Sequence, residues 1–140
     1  MRWGFTLWGQ PPSWNDSYRI AKRERMLADG RQQEYRTLVK KDRVKKYQDD
    51  AIMVIKTTKP SRWKPEGMIR VIWTVYLARD VDCDNLQKAI HDAIEVATGI
   101  NDRRFLPCFQ WKYLGVQDRE ARVEIIIDDD LSPPSPATGT

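Results

Sequence analysis

Apolar and polar positions change their period several times along the chain, and each change marks an element. From Ile69 to Leu77, the residues Ile69, Val71, Trp73, Val75 and Leu77 alternate with Arg70, Ile72, Thr74 and Tyr76. A period of two predicts a strand. The next run changes period: Leu86, Ala89, Ile90, Ala93, Ile94 and Ala97 recur three and four apart. That spacing predicts a helix over Asp84–Ala97 packed on a sheet, with Gly99 as its stop. Trp3 to Trp8 predicts a short strand ended by the turn Gly9-Gln10-Pro11-Pro12-Ser13. Phe109, Trp111 and Tyr113, then Val123, Ile125 and Ile127, alternate with polar residues and predict two further strands. Asp42 is placed to cap a helix whose apolar positions Val44, Tyr47, Ala51, Val54 and Ile55 keep helical spacing, ending before Pro60. The stretch from Arg19 to Lys46 is otherwise read only as polar and strongly basic.

Strands separated by helices, with antiparallel pairing expected near the C-terminal end, predict an α+β fold: a two-layer domain in which a small mixed sheet packs on helices. One domain over residues 1–130 is expected, followed by a Pro/Ser/Thr-rich tail over 131–140 that reads as disordered. Trp73 and Trp111 are expected to fill core. Trp14, beside the Pro11-Pro12 turn, is expected to pack, with stacking on an unpaired base as the alternative.

Composition narrows the function classes. The 140 residues are 41% hydrophobic and 31% charged. No apolar run approaches the roughly 20 residues of a membrane span, and the apolar N-terminal stretch lacks a small-residue cleavage site. A cytoplasmic protein with no membrane partner is expected. Two cysteines and a single histidine are too few for a disulfide framework or a structural zinc site, so any catalytic metal must be held by oxygen. The formal net charge is +4 even with Asp128, Asp129 and Asp130 counted, which favours a polyanionic partner. The basic face of the predicted first helix would carry much of that charge.

The chemistry is concentrated in Arg79-Asp80-Val81-Asp82-Cys83-Asp84-Asn85-Leu86-Gln87-Lys88, where an apolar strand runs into alternating aspartates and then a helix. Residues two apart on extended chain share a face about 6.6 Å apart, so the Asp82 and Asp84 carboxylates can converge on one ion. Mg2+ or Mn2+ suits them, since both prefer hard oxygen ligands. Cys83, between them, is expected in the core. On the helix, Asp84, Lys88 and Asp92 fall on one face. Lys88 is thereby aimed toward the acids, with Asp92 as its expected ion-pair partner; the structural alternative is an Asp84 cap and ordinary i,i+4 pairs. Asp102, after Gly99, could return beside the helix as a third carboxylate or be a turn residue. Spacing does not say which aspartates, Asp80 included, hold metal. His91 is expected at the surface.

Asp82-Cys83-Asp84-Asn85-Leu86-Gln87-Lys88, followed by Asp92-Ala93-Ile94 and Asp102, resembles the RusA family of Holliday junction resolvases, whose pattern is Asp-x-Asp-Asn-x-x-Lys, Asp-Ala-Leu and a further Asp. Pro11-Pro12-Ser13-Trp14-Asn15, Tyr18 and Tyr35-Arg36-Thr37 are similar to family features as well, so the resemblance spans roughly residues 5 to 127. Asn101 stands where relatives often have a second Asp. The resemblance implies a homodimeric endonuclease that cuts four-way DNA junctions in paired, symmetric nicks. It selects Asp82, Asp84 and Asp102 as the metal-binding and catalytic acids over Asp80, and Lys88 as the catalytic lysine. Asn85 and Asp92 would support the site, Mg2+ or Mn2+ would be the cofactor, and no organic cofactor is implied. Lys40, Lys41, Arg43, Lys45, Lys46 and Asn15 are the expected DNA contacts. Alternatives are a nuclease for flaps or forks on the same fold, and a catalytically silent module that binds branched DNA.

Overall fold

A computed structural model describes residues 1–12, 18–26, 28–40 and 42–131. Asn15, Trp14, Lys41 and the tail from residue 132 onward lie outside the described residues, so the expectations placed on them stay as stated. The order is β1 (Arg2–Trp8), β2 (Tyr18–Met26), β3 (Gln32–Lys40), α1 (Asp42–Thr58), β4 (Ile69–Leu77), α2 (Cys83–Thr98), β5 (Phe105–Leu114) and β6 (Arg122–Asp128). Four strands form a mixed sheet in the order β1-β6-β4-β5, with β6 antiparallel to both neighbours and β4 parallel to β5 through the α2 crossover. With the two helices, this is a two-layer α+β domain.

Alternation does the sorting. Ile69, Val71, Trp73, Val75 and Leu77 on β4, Val123, Ile125 and Ile127 on β6, and Trp3, Phe5 and Leu7 on β1 all point to the helix side and are buried. Leu86, Ile90, Ala93 and Ile94 of α2 close over them with Ala51 and Ile55 of α1. At ~25 cal/mol per Å2 of apolar surface removed from water, this shared face is the main stabilising term. Trp63, between α1 and β4, packs edge-on against Trp3 at 5.2 Å and donates its indole N–H to Asp129 Oδ2 at 3.0 Å. At Gly4 the neighbouring backbone leaves no room for a side chain: a Cβ there would meet Ile125 O at 2.7 Å.

The other face of the sheet is uncovered by either helix and carries an aromatic row. Arg122 lies 3.7 Å over the Tyr76 ring and 5.3 Å from that of Trp8, and Tyr76 stacks on Tyr113 at 4.8 Å. Trp111 belongs to this row and is 63% exposed, which corrects its expected place in the core. The cause is a bulge in β5. The register with β4 shifts between Trp73 and Thr74, so that Phe109 pairs with Trp73 on the helix side while Trp111 pairs with Thr74 on the open side.

Between β1 and α1 the chain forms an antiparallel hairpin, β2–β3, which the basic character of the stretch concealed. Its turn is Asp-Gly: Gly30 has φ 84°, and Asp29 Oδ1 accepts the Arg31 N–H at 3.1 Å.

Candidate functional site

The loop from β4 to α2 and the first turn of α2 hold the predicted acids. Asp82 is the N-cap of α2: its Oδ1 accepts the Asp84 N–H at 2.9 Å and its Oδ2 accepts from Asn85 Nδ2 at 3.3 Å. Asn85 thus fixes the Asp82 carboxylate. The cap falls on Asp82 rather than on Asp84, and Asp84 is already helical, so the two acids are a cap and a first-turn residue rather than neighbours on extended chain. Both are exposed, and Asp84 lies at the positive end of the helix dipole. Cys83 is half-buried and packs against the core, where burial pushes its thiol pKa up.

Asp80 is engaged by another group. Lys112 of β5 forms an ion pair with Asp80 Oδ1 at 2.5 Å, and that hydrogen bond raises the lysine's pKa. Sequence reasoning missed Lys112; its signal was a lone cation inside an aromatic strand. Gln10 was missed as well. Its Oε1 accepts the Ala78 N–H at 2.7 Å and its Nε2 donates to Arg79 O at 2.8 Å, which clips the end of β1 to the start of the acidic loop.

Basic residues of α1 border this loop. A groove of about 480 Å3 is lined by Pro11 and Pro12, by Arg43 and Lys46 of α1, and by Arg79, Asp80 and Val81. Lys46 pairs with Asp50 at 2.9 Å, and Lys45 and Arg43 are exposed. Lys40 ends β3. The cationic face of α1 and the acidic loop are therefore neighbours, though they lie far apart in sequence.

The third predicted acid lies elsewhere. Asp102 opens a short 3-10 turn, Asp102–Arg104, whose cap Asn101 accepts the Arg103 N–H at 2.9 Å. The carboxylate oxygens of Asp102, Asp92 and Glu95 lie within 4.8 Å of one another. Asp82 and Asp84 are not part of that group. Asp92 follows Asp84 by eight residues, about 12 Å along a helix axis, so the predicted acids fall into two clusters at different levels of α2.

Two expectations on α2 are corrected. Lys88 is exposed and makes no ion pair among the described residues, so Asp92 is not its partner within the chain; Asp92 instead lies near two like charges, Glu95 and Asp102. His91 is buried at 7% exposure, not at the surface. Its ring contacts Phe105 at 5.2 Å and Trp73 at 5.8 Å, because position 91 adjoins Ile90 and Ile94 on the side of α2 that covers β4 and β5. Burial lowers the His91 pKa from 6.5, against an opposing pull from Asp102 and Asp92.

A second acidic group, Asp128, Asp129 and Asp130 at the end of β6, is engaged differently: the Met1 amino group bonds Asp129 at 2.5 Å and Asp130 at 2.7 Å. Among the described residues, no helix is long and apolar enough to cross a membrane. In comparisons with known proteins, no family model and no curated protein matches this sequence.

Proposed function

We propose that this chain is a metal-dependent, structure-specific DNA endonuclease of the RusA kind, acting on four-way junctions as a cytoplasmic homodimer. The observation that carries the reading is the groove, where Arg43 and Lys46 stand beside the loop that leads into Asp82 and Asp84. Cations that grip a phosphate backbone next to acids that would repel it make sense if a divalent ion intervenes. The donor chemistry at the N-terminal end of α2 suits Mg2+ or Mn2+: Asp82 and Asp84 offer exposed hard oxygens, and the Asp82 oxygens used in the cap retain lone pairs, while Asp102 stands apart with Asp92 and Glu95. When bound, the ion supplies Lewis-acid neutralisation at the scissile phosphate. Arg43, Lys45 and Lys46 then bind backbone phosphates, Asn85 holds the Asp82 carboxylate in one orientation, and Lys88, exposed on the same helix face as Asp84, brings positive charge to the phosphate.

A binding module that holds branched DNA without cutting it is the second reading. It is favoured by Asp82, both of whose oxygens already serve the helix cap. Cleavage of a synthetic four-way junction, beside flap, fork and linear duplex controls in Mg2+, Mn2+ or EDTA, separates the readings. The expected result is paired metal-dependent nicks in the junction that are lost in Asp82→Asn. Tight junction binding with no nicks in either metal would establish the binding module, and preferential cutting of flaps or forks would move the substrate class.

A further inference from the structure

We propose that Lys112 is a positioning residue of the acidic loop: by taking Asp80 as its partner, it leaves Asp82 and Asp84 as the acids at the head of α2 that receive a divalent ion. The inference rests on the metal-dependent reading of those acids. Asp80, Asp82 and Asp84 stand two apart and are all exposed, so neither spacing nor exposure chooses among them.

The bulge in β5 is what brings Lys112 to the loop. Phe105 and Phe109 pair with Ile69 and Trp73, which are buried on the helix side of the sheet. Strict alternation from Phe109 would send position 111 to the helix side and position 112 to the open face. The register shift between Trp73 and Thr74 reverses this, so that Trp111 pairs with Thr74 and Lys112 with buried Val75. One extra residue thus turns the cation of β5 to the side of the sheet on which α2 begins. Bulges beside functional sites re-aim side chains in this way.

Once there, Lys112 grips two residues of the loop. Its Nζ pairs with Asp80 Oδ1 at 2.5 Å and donates to Val81 O at 3.5 Å. Gln10 holds the two residues before them, Ala78 and Arg79. Residues 78–81 are therefore held from both edges of the sheet, β1 and β5, and the chain enters the Asp82 cap from a fixed direction. The three acids then differ. Asp80 faces an ammonium, whereas Asp82 accepts only from neutral donors, the Asp84 amide and the Asn85 side chain, which leave its negative charge in place.

Lys112 acts on an incoming ion in two opposed ways. Its positive charge repels a second cation and weakens binding, while its bond to Asp80 keeps the ion on the acids of the helix head. Removing it should tighten binding and misplace the ion. A lysine that only held the fold together would leave ion affinity unchanged or weaken it.

Mn2+ affinity by calorimetry, and kcat and KM for four-way junction cleavage, test the proposal in wild type, Lys112→Met, Lys112→Arg, Asp80→Asn and Lys112→Met/Asp80→Asn. Lys112→Met is expected to bind Mn2+ about fivefold more tightly and to lose about tenfold in kcat, with KM changed by less than about twofold. Lys112→Arg still pairs with Asp80 and should keep the wild-type values. Asp80→Asn removes the competing acid and should retain cleavage, and the double variant should recover the kcat that Lys112→Met loses. Lys112→Gln takes the place of Lys112→Met if that variant does not fold. Unchanged or weaker Mn2+ binding in Lys112→Met, or no recovery in the double variant, overturns the inference; with wild type still cutting, the endonuclease reading stands. Loss of Mn2+ binding in Asp80→Asn would make Asp80 a ligand and overturns it as well. If wild type binds Mn2+ without cutting, tighter binding in Lys112→Met that Asp80→Asn reverses supports the inference while the nuclease reading falls. A wild type that binds no Mn2+ overturns the inference directly.

Discussion

His91 has one ring nitrogen, Nε2, buried without a hydrogen-bond partner, and a buried donor or acceptor left unpaired costs about 1–3 kcal/mol. Its contacts to Trp73 and Phe105 are ring contacts, which a phenyl group would preserve. His91→Phe is therefore expected to be neutral or to stabilise by about 1 kcal/mol in urea unfolding, with junction cleavage retained. Loss of cleavage with stability unchanged would give the imidazole a role that packing does not require. Lys112 shows the reverse situation at the same scale. It is an exposed side chain whose ion pair with Asp80 offsets the charge of that acid.

At the N-terminus of α2, substitution can separate the capping done by the Asp82 carboxylate from the metal binding proposed for it. Asparagine caps helices about as well as aspartate, whereas alanine costs about 1 kcal/mol. Asp82→Asn should therefore keep the wild-type unfolding midpoint while losing metal-dependent cleavage. Asp82→Ala should lose cleavage and about 1 kcal/mol of stability together. Equal stability losses in both variants would mean that the charge on Asp82, rather than its capping geometry, holds the helix end.

The same element explains what sequence could and could not reveal. The period-two run of β4 and the three-four spacing of α2 were legible because one face of each is buried, and Gly99 stops α2 with φ 76° as its position suggested. Strand β5 was legible as a strand but not in its facing, because one bulge residue reverses which side Trp111 takes. The hairpin β2–β3 was lost under its charges although Asp29-Gly30 announced its turn. The acidic motif falls on the loop from β4 to α2 and on the first turn of α2. That Asp102 stands with Asp92 and Glu95 follows from how far the 3-10 turn folds back along α2, and spacing carries no such distance.

For the molecule as a whole, charge is arranged rather than merely present. Arg43 and Lys46 line the groove beside the acidic loop, Lys45 is exposed on the same helix, and each phosphate contact would contribute about 0.9 to the slope of log affinity against log salt. Replacing all three with glutamine should lower the slope for junction binding by about two to three, with an unchanged far-ultraviolet spectrum. A slope unaltered by the replacement would move the DNA path off α1.

The strand order β1-β6-β4-β5 also constrains how the chain reaches this state. Among the described residues, β6, which follows the other strands in sequence, is the one that joins β1 to the rest of the sheet, since β1 pairs with β6 alone there. A chain growing from its N-terminus holds Trp3, Phe5 and Leu7 without a sheet to receive them until residues 122–128 are synthesised. The α2 crossover can bring β4 and β5 together early, but the sheet closes only once β6 has been made, through contacts distant in sequence. Such closure is slow, and during that interval the aromatic N-terminal segment is what a chaperone, or a neighbouring nascent chain, would meet first.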